Sequence, residues 1–279
     1  IMPKRIKETC ACLITFFVCH AQTVIDTVAY RFVYDVQAKT FEINNRLFPD
    51  EHWLDIGKNG VSHYYSMWKN RQMCILDSLQ RVGAGFADFS RIRQEQGLES
   101  SQFNYDIYKT YPITGQQTVD YQSMELFQYL EPIGQEWEFA DGDTIILEHP
   151  CQKAVCHYHG KTWTAYYATD IPISEGPWKL CNLPGIILRA YDSDGAFIIH
   201  CIGIQQQVGS PMTMRESKRR QMKPEQAHKL IEQIDSDPEA YMEAQGHKSM
   251  SFDDKGRPMK MPQLPKRAYY ESYSMEENK

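Results

Sequence analysis

Residues 151–203 read CQKAVCHYHGKTWTAYYATDIPISEGPWKLCNLPGIILRAYDSDGAFIIHCIG. Aromatic and β-branched residues alternate with polar ones in this stretch, and short polar turns cut it at His159-Gly160-Lys161 and Ser193-Asp194-Gly195. Apolar–polar alternation flanking a Gly-containing turn is the pattern of a β-hairpin. Two such hairpins in succession favour an antiparallel meander over a parallel sheet. Between them, Gly176-Pro177 and Pro184-Gly185 break the chain on either side of Trp178. The bracketed loop is expected to fold against the sheet with the indole filling a gap; the functional alternative is a lid over a cavity.

The pattern extends toward the N-terminus. QEWEFADGDTIILEHP predicts a further hairpin around Asp141-Gly142-Asp143, and TVAYRFVYD from Thr27 predicts a strand. Phe48-Pro49-Asp50 is expected to break the chain, and WLDIGKNGVSHYYSMW reads as two strands about a Gly57–Gly60 turn. From Lys69 to Gln96 the period changes. Met73, Ile75, Leu76, Leu79 and Val82 fall at helical spacing, interrupted by Gly83–Gly85. After Gln205 the composition turns polar. Pro224 suits the first turn of a helix, and Asp237 suits the N-cap of a second. The segment from Lys248 to Lys279 reads as a loosely held tail.

Lys4, Arg5 and Lys7, an apolar run from Cys10 to Val18 and CHAQT ending that region have the form of a secretory signal, so residues 1–21 are expected to be cleaved. Cleavage removes three cations and Glu8, taking the net charge from −6 to −8. An acidic chain argues against a nucleic-acid partner. No later stretch is long and apolar enough to span a bilayer, so an exported protein of the periplasm or cell envelope is expected. Hydrophobic content of 42% is enough for a real core. The organisation expected is a leader (1–21), a β-rich domain (22–205) and a helical, loosely ordered extension (206–279).

Five cysteines remain after cleavage: Cys74, Cys151, Cys156, Cys181 and Cys201. Export permits disulfides, and an odd count leaves at least one thiol unpaired. A bridge among Cys151, Cys156 and Cys181 is expected, with the pair left open. Cys74 reads as a buried helix residue and Cys201 as a strand residue.

The stretch Ile145–Ile204 resembles the GLPGLI family of exported Bacteroidetes proteins. The naming hexapeptide reads Asn182-Leu183-Pro184-Gly185-Ile186-Ile187 here, with YYATDIPISEGPWKL before it, CQKAVCHYHGKTWTA earlier and SHYYS at Ser62–Ser66. The resemblance implies export and a β-rich domain, and carries over no catalytic residue. Asn182 stands where the family has glycine. Both residue types accept positive φ, so a tight turn is expected there.

Several side chains are candidates for chemistry. His157 and His159, two apart on a strand, are expected on one face with Cys156 beside them, giving half of a zinc or copper site. Asp170, Ser174 and Glu175 lie together near the motif without a recognisable base. Arg215, Lys218, Arg219, Arg220 and Lys223 form a basic cluster suited to contact with a membrane surface. The fold expected is α+β and mainly antiparallel: a curved sheet or half-barrel, with a helical insertion and C-terminal helices. Its concave face would present Trp163, Tyr166, Trp178, Leu183, Pro184 and Gly185 to an apolar or peptide ligand. The function expected is that of a non-enzymatic envelope binding or carrier protein for such a ligand or for a partner protein, without a cofactor; a periplasmic metal-handling protein is the alternative, and a hydrolase the third reading.

Overall fold

The computed structural model describes residues 22–39, 46–215, 219–246, 251–252 and 258–259. The leader and most of the tail lie outside the described residues. Strands account for 49% of the described residues and helices for 20%, so the fold is α+β and mainly antiparallel, as expected.

One sheet carries the fold. Its backbone is β1 (Gln22–Lys39), an 18-residue strand whose alternation buries Phe32, Tyr34, Val36 and Ala38 on one face. On one side β1 pairs with β2 (Leu47–Gly57), followed outward by β3 (Ser62–Ser66), β4 (Tyr105–Lys109), β5 (Gln116–Gln122) and β6 (Leu126–Pro132). On the other side stand β11 (Phe197–Gln206), β10 (Ile187–Asp192), β9 (Lys161–Ala168), β8 (His149–Tyr158) and, outermost, β7 (Glu138–Ile146). β12 (Pro211–Arg215) pairs with the first half of β1, and β13 (Arg220–Met222) adds to β6 in parallel. Two short strands that follow β11, residues 211–215 and 220–222, thus belong to the same sheet.

The sheet is open, and among the described residues no ladder joins β13 to β7. It nevertheless bends far enough for distant strands to touch. β5 and β8 are eight ladder steps apart, roughly 38 Å along a flat sheet. Yet Gln117 Nε2 on β5 donates to Tyr158 Oη on β8 at 3.0 Å. The inner faces of both flanks therefore close on one core, which runs from Phe32 and Leu54 to Phe127, Trp163 and Ile199.

What fills the bend is the chain itself. The breaker-rich segment between β9 and β10 lies across the inner face and buries Trp178, Leu180, Leu183 and Ile186. The Trp178 ring packs 5.1 Å from that of Trp163. Each buried leucine contributes about 1.5–3 kcal/mol in removed apolar surface. The segment is packing, not a lid.

Helices α1 (Met67–Arg81) and α2 (Phe86–Glu95) form the insertion between β3 and β4. Ser66 caps α1 by accepting the Lys69 amide at 3.1 Å, and the Gly83–Gly85 break separates the two helices as expected. α3 (Pro224–Ser236) rests on β6, and α4 (Pro238–Ala244) starts at Asp237, whose carboxylate accepts the Ala240 amide.

Four local expectations are corrected. Pro49 lies inside β2, opposite Gln37, because the ladder tolerates proline near a strand's start. Asp141-Gly142-Asp143 is a bulge within β7; the hairpin turns at Leu147 and Glu148, both at positive φ. Cys74 is exposed, since α1 only leans on the sheet and buries no residue completely. All five described cysteines are free, so no bridge links Cys151, Cys156 and Cys181.

Candidate functional site

The sequence-derived candidates do not converge. Trp163, Trp178, Leu183 and Gly185 are core, while Pro184 is exposed. Tyr166 is on the opposite face of β9, under the Arg189 guanidinium at 5.6 Å. The concave face these residues were expected to offer to a ligand is already filled.

The histidine pair is split, against expectation. Cys156 and Tyr158 point into the core, and His157 faces solvent, where its Nδ1 shares a 2.9 Å hydrogen bond with Thr162. β8 then ends. His159 and Gly160 form a two-residue turn with φ of 51° and 71°, the geometry of a type I′ hairpin. The turn breaks the alternation and swings His159 inward. Among the described residues no cluster of His, Cys, Asp and Glu suits a metal ion. Burial pushes the Cys156 thiol up to about 12, and its side chain points into the core, on the other face of β8 from His157.

The acidic pair near the motif is also divided. Asp170 pairs with His149 Nδ1 at 2.8 Å, whereas Glu175 pairs with Lys109 Nζ at 3.1 Å. Of the basic cluster, Arg215 faces Asp77 and Arg219 is held by Asp120 at 2.7 Å. Arg219 is buried in its pair, Arg215 is half-buried, and Arg220 and Lys223 are exposed; Lys218 lies outside the described residues.

The structure assembles a different group. On β6, Tyr129 and Glu131 point inward together, and Gln117 sits opposite Glu131 in the β5 ladder. Gln117 Nε2 donates to Glu131 Oε1 at 3.0 Å. From the motif segment, Lys179 Nζ reaches the same oxygen at 2.6 Å and donates to Tyr129 Oη at 3.2 Å. His159 from the β8–β9 turn and His228 from α3 approach Glu131 Oε2 at 3.8 and 3.9 Å. Their rings stand 5.8 Å apart. Burial alone would raise the Glu131 pKa, but Lys179, His228 and His159 outweigh it and bring it down to about 2. The carboxylate stays ionised at neutral pH.

A second ammonium fixes the same segment. Lys109 Nζ is completely buried and donates to the carbonyls of Gly176 at 2.7 Å and Leu180 at 2.9 Å, besides pairing with Glu175. Gln135 Nε2 adds a bond to Lys179 O, and Trp137 Nε1 one to Cys181 O. Segment 171–186 is therefore tied to β4, to β6 and to the stretch after β6 by charge-assisted and neutral bonds. Such bonds hold a shape; they present no activated nucleophile to solvent.

Asp50, His52, Ser66 and Ser101 have the residue types of a hydrolytic triad but not its wiring. Both seryl hydroxyls donate to Asp50, at 2.9 and 2.5 Å. His52 Nε2 lies 3.4 Å from the same carboxylate, so no histidine stands between serine and aspartate as nucleophilic catalysis requires. Neither this group nor the Glu131 group was legible in the sequence, because each joins residues from strands and loops distant along the chain. The signal that existed was Lys179 beside Trp178 in an apolar loop: a lone buried cation demands a carboxylate.

No family model matches the chain, and no curated protein does. Among solved structures, the fold is similar to PNGF-II in a P21 crystal form, at 10% identity and a TM-score of 0.46, over 73% of this chain and 33% of that one. A C2 crystal form of PNGF-II gives 10% identity and a TM-score of 0.45, over 76% and 33%. The chain spans about a third of the length of the solved protein it matches.

Proposed function

We propose that this chain belongs with the exported GLPGLI-type proteins and serves in the cell envelope as a non-enzymatic binding protein for a peptide or partner protein. Binding takes place on its outer surface. The observation that supports this reading is the occupied concavity: Trp178, Leu180 and Leu183 fill the bend, pinned by Lys109 and Lys179. A carrier that takes up an apolar molecule needs that space free. The test is native mass spectrometry of protein purified gently from its own envelope. A co-purifying peptide or protein is the expected result. A stoichiometric lipid released only on unfolding overturns the reading.

A further inference from the structure

Among the described residues β7 ends the ladder path and pairs with β8 alone. Among the described residues no strand flanks its outer side, so half of its backbone amides and carbonyls face outward as a template for another strand. Proteins commonly blunt such an edge with a bulge and charge, and β7 has both. Ala140 faces Lys153 and Thr144 faces Cys151, which leaves residues 141–143 opposite Gln152 alone. Blunting does not account for the rest of the strand. Phe139 is 68% exposed and Ile145 is 74% exposed, among the most exposed large apolar side chains described. A shallow hollow of about 300 Å³ opens beside the bulge, lined by Asp143, Thr144, Ile145, Pro150, Gln152 and Thr169.

Charge identifies the occupant. Glu136, Glu138, Asp141, Asp143 and Glu148 are all exposed on or beside this strand, and no cation pairs with them among the described residues. Two copies of the edge would set acid against acid, so a second copy of this chain does not fit. A strand with alternating cationic and apolar side chains does. Its backbone would complete the ladder, its apolar residues would cover Phe139 and Ile145, and its ammonium or guanidinium groups would meet the carboxylates. Resting on the reading of the chain as a binding protein, we infer that the β7 edge accepts an extended basic segment of a partner protein as an additional antiparallel or parallel strand.

The probe is a fluorescein-labelled peptide of alternating lysine and valine, with an alternating glutamate and valine peptide as control. Fluorescence anisotropy should show binding of the basic peptide only, weakened by salt, and hydrogen exchange should slow across 138–146. Phe139→Lys, where a tilted contact with the Tyr167 ring is lost, and Ile145→Lys, at a position 74% exposed, should each weaken binding by roughly tenfold. The double variant Glu138→Lys, Asp143→Lys should lose it while its unfolding curve stays near wild type. Equal binding of both peptides, protection elsewhere on the sheet or no binding overturns the inference. If the basic peptide fails while a protein partner co-purifies from the envelope, the β7 inference falls and the binding reading stands.

Discussion

Lys179 Nζ lies 2.6 Å from Glu131 Oε1, and both side chains are almost completely buried. The pair connects the motif segment to β6, near the far end of the sheet from β8 and β9, so it holds the bend closed. Lys179→Met removes the cation and leaves the carboxylate unpaired in the core. Loss of one partner of a buried pair costs about 3–5 kcal/mol. The urea midpoint should fall accordingly, and the double variant Lys179→Met, Glu131→Leu should recover part of the loss.

Acid should weaken the fold through the same carboxylate. The Glu131 pKa is lowered from 4.5 to about 2. A carboxyl with a depressed folded pKa stabilises above its unfolded value and loses that contribution as pH falls toward the folded one. The contribution of Glu131 is therefore complete above about 4.5 and lost by about 2. Lys179 from the motif segment, His159 from the hairpin turn and His228 from α3 face it, with Tyr129 and Gln117 alongside. Asp106 shifts the same way, since Lys69 and His63 overcome its burial. Asp120 shifts up, its burial outweighing Arg219. Comparing wild type with Glu131→Gln by urea unfolding at stepped pH isolates the Glu131 share: the variant should be less stable at neutral pH and flatter between those limits.

The motif glycine is irreplaceable for a steric reason. A Cβ on Gly185 would collide with the carbonyl oxygen of Ala168 and lie 3.2 Å from that of Ile171. Both are backbone atoms of the strand end and loop it packs on. Gly185→Ala should cost at least ~1–3 kcal/mol, the usual range for overpacking, seen as a drop in Tm. Asn182 is the contrast. Its φ is 71°, so Asn182→Gly should be tolerated, while Asn182→Val should cost about 1–2 kcal/mol in left-handed strain.

Thiol reactivity should be sharply uneven. Burial pushes Cys156, Cys181 and Cys201 up to about 12, and Cys151 is raised by burial as well. Cys74 is exposed on α1. Iodoacetamide followed by peptide mass mapping should modify Cys74 first in folded protein, and the other four only after denaturation. Early labelling of Cys156 or Cys181 would mean the motif segment opens.

The local architecture was largely legible. Alternation marked β8, β9, β10 and β11, and breakers marked the loop that carries Trp178. Asn182 in place of glycine announced a positive φ, and Asp237 and Pro224 marked helix starts. Errors arose where a short turn overrides periodicity. The left-handed pair His159-Gly160 sends His159 inward, away from His157. The Asp141-Gly142-Asp143 segment of β7 forms a bulge, not the turn its composition resembles.

By itself, then, the sequence determined the strands, their antiparallel order through the hairpins and the bent, breaker-flanked motif loop, because these depend on residues close along the chain. Only the tertiary structure decided that the sheet bends until Gln117 meets Tyr158, that Trp178 of the motif loop packs on Trp163, and that Glu131 becomes the partner of Lys179. Periodicity assigns a side chain to a face but not to a neighbour. Which strands eight ladder steps apart come together depends on the accumulated curvature of the whole sheet and on an arrangement in which the buried ammonium groups of Lys109 and Lys179 meet Glu175 and Glu131.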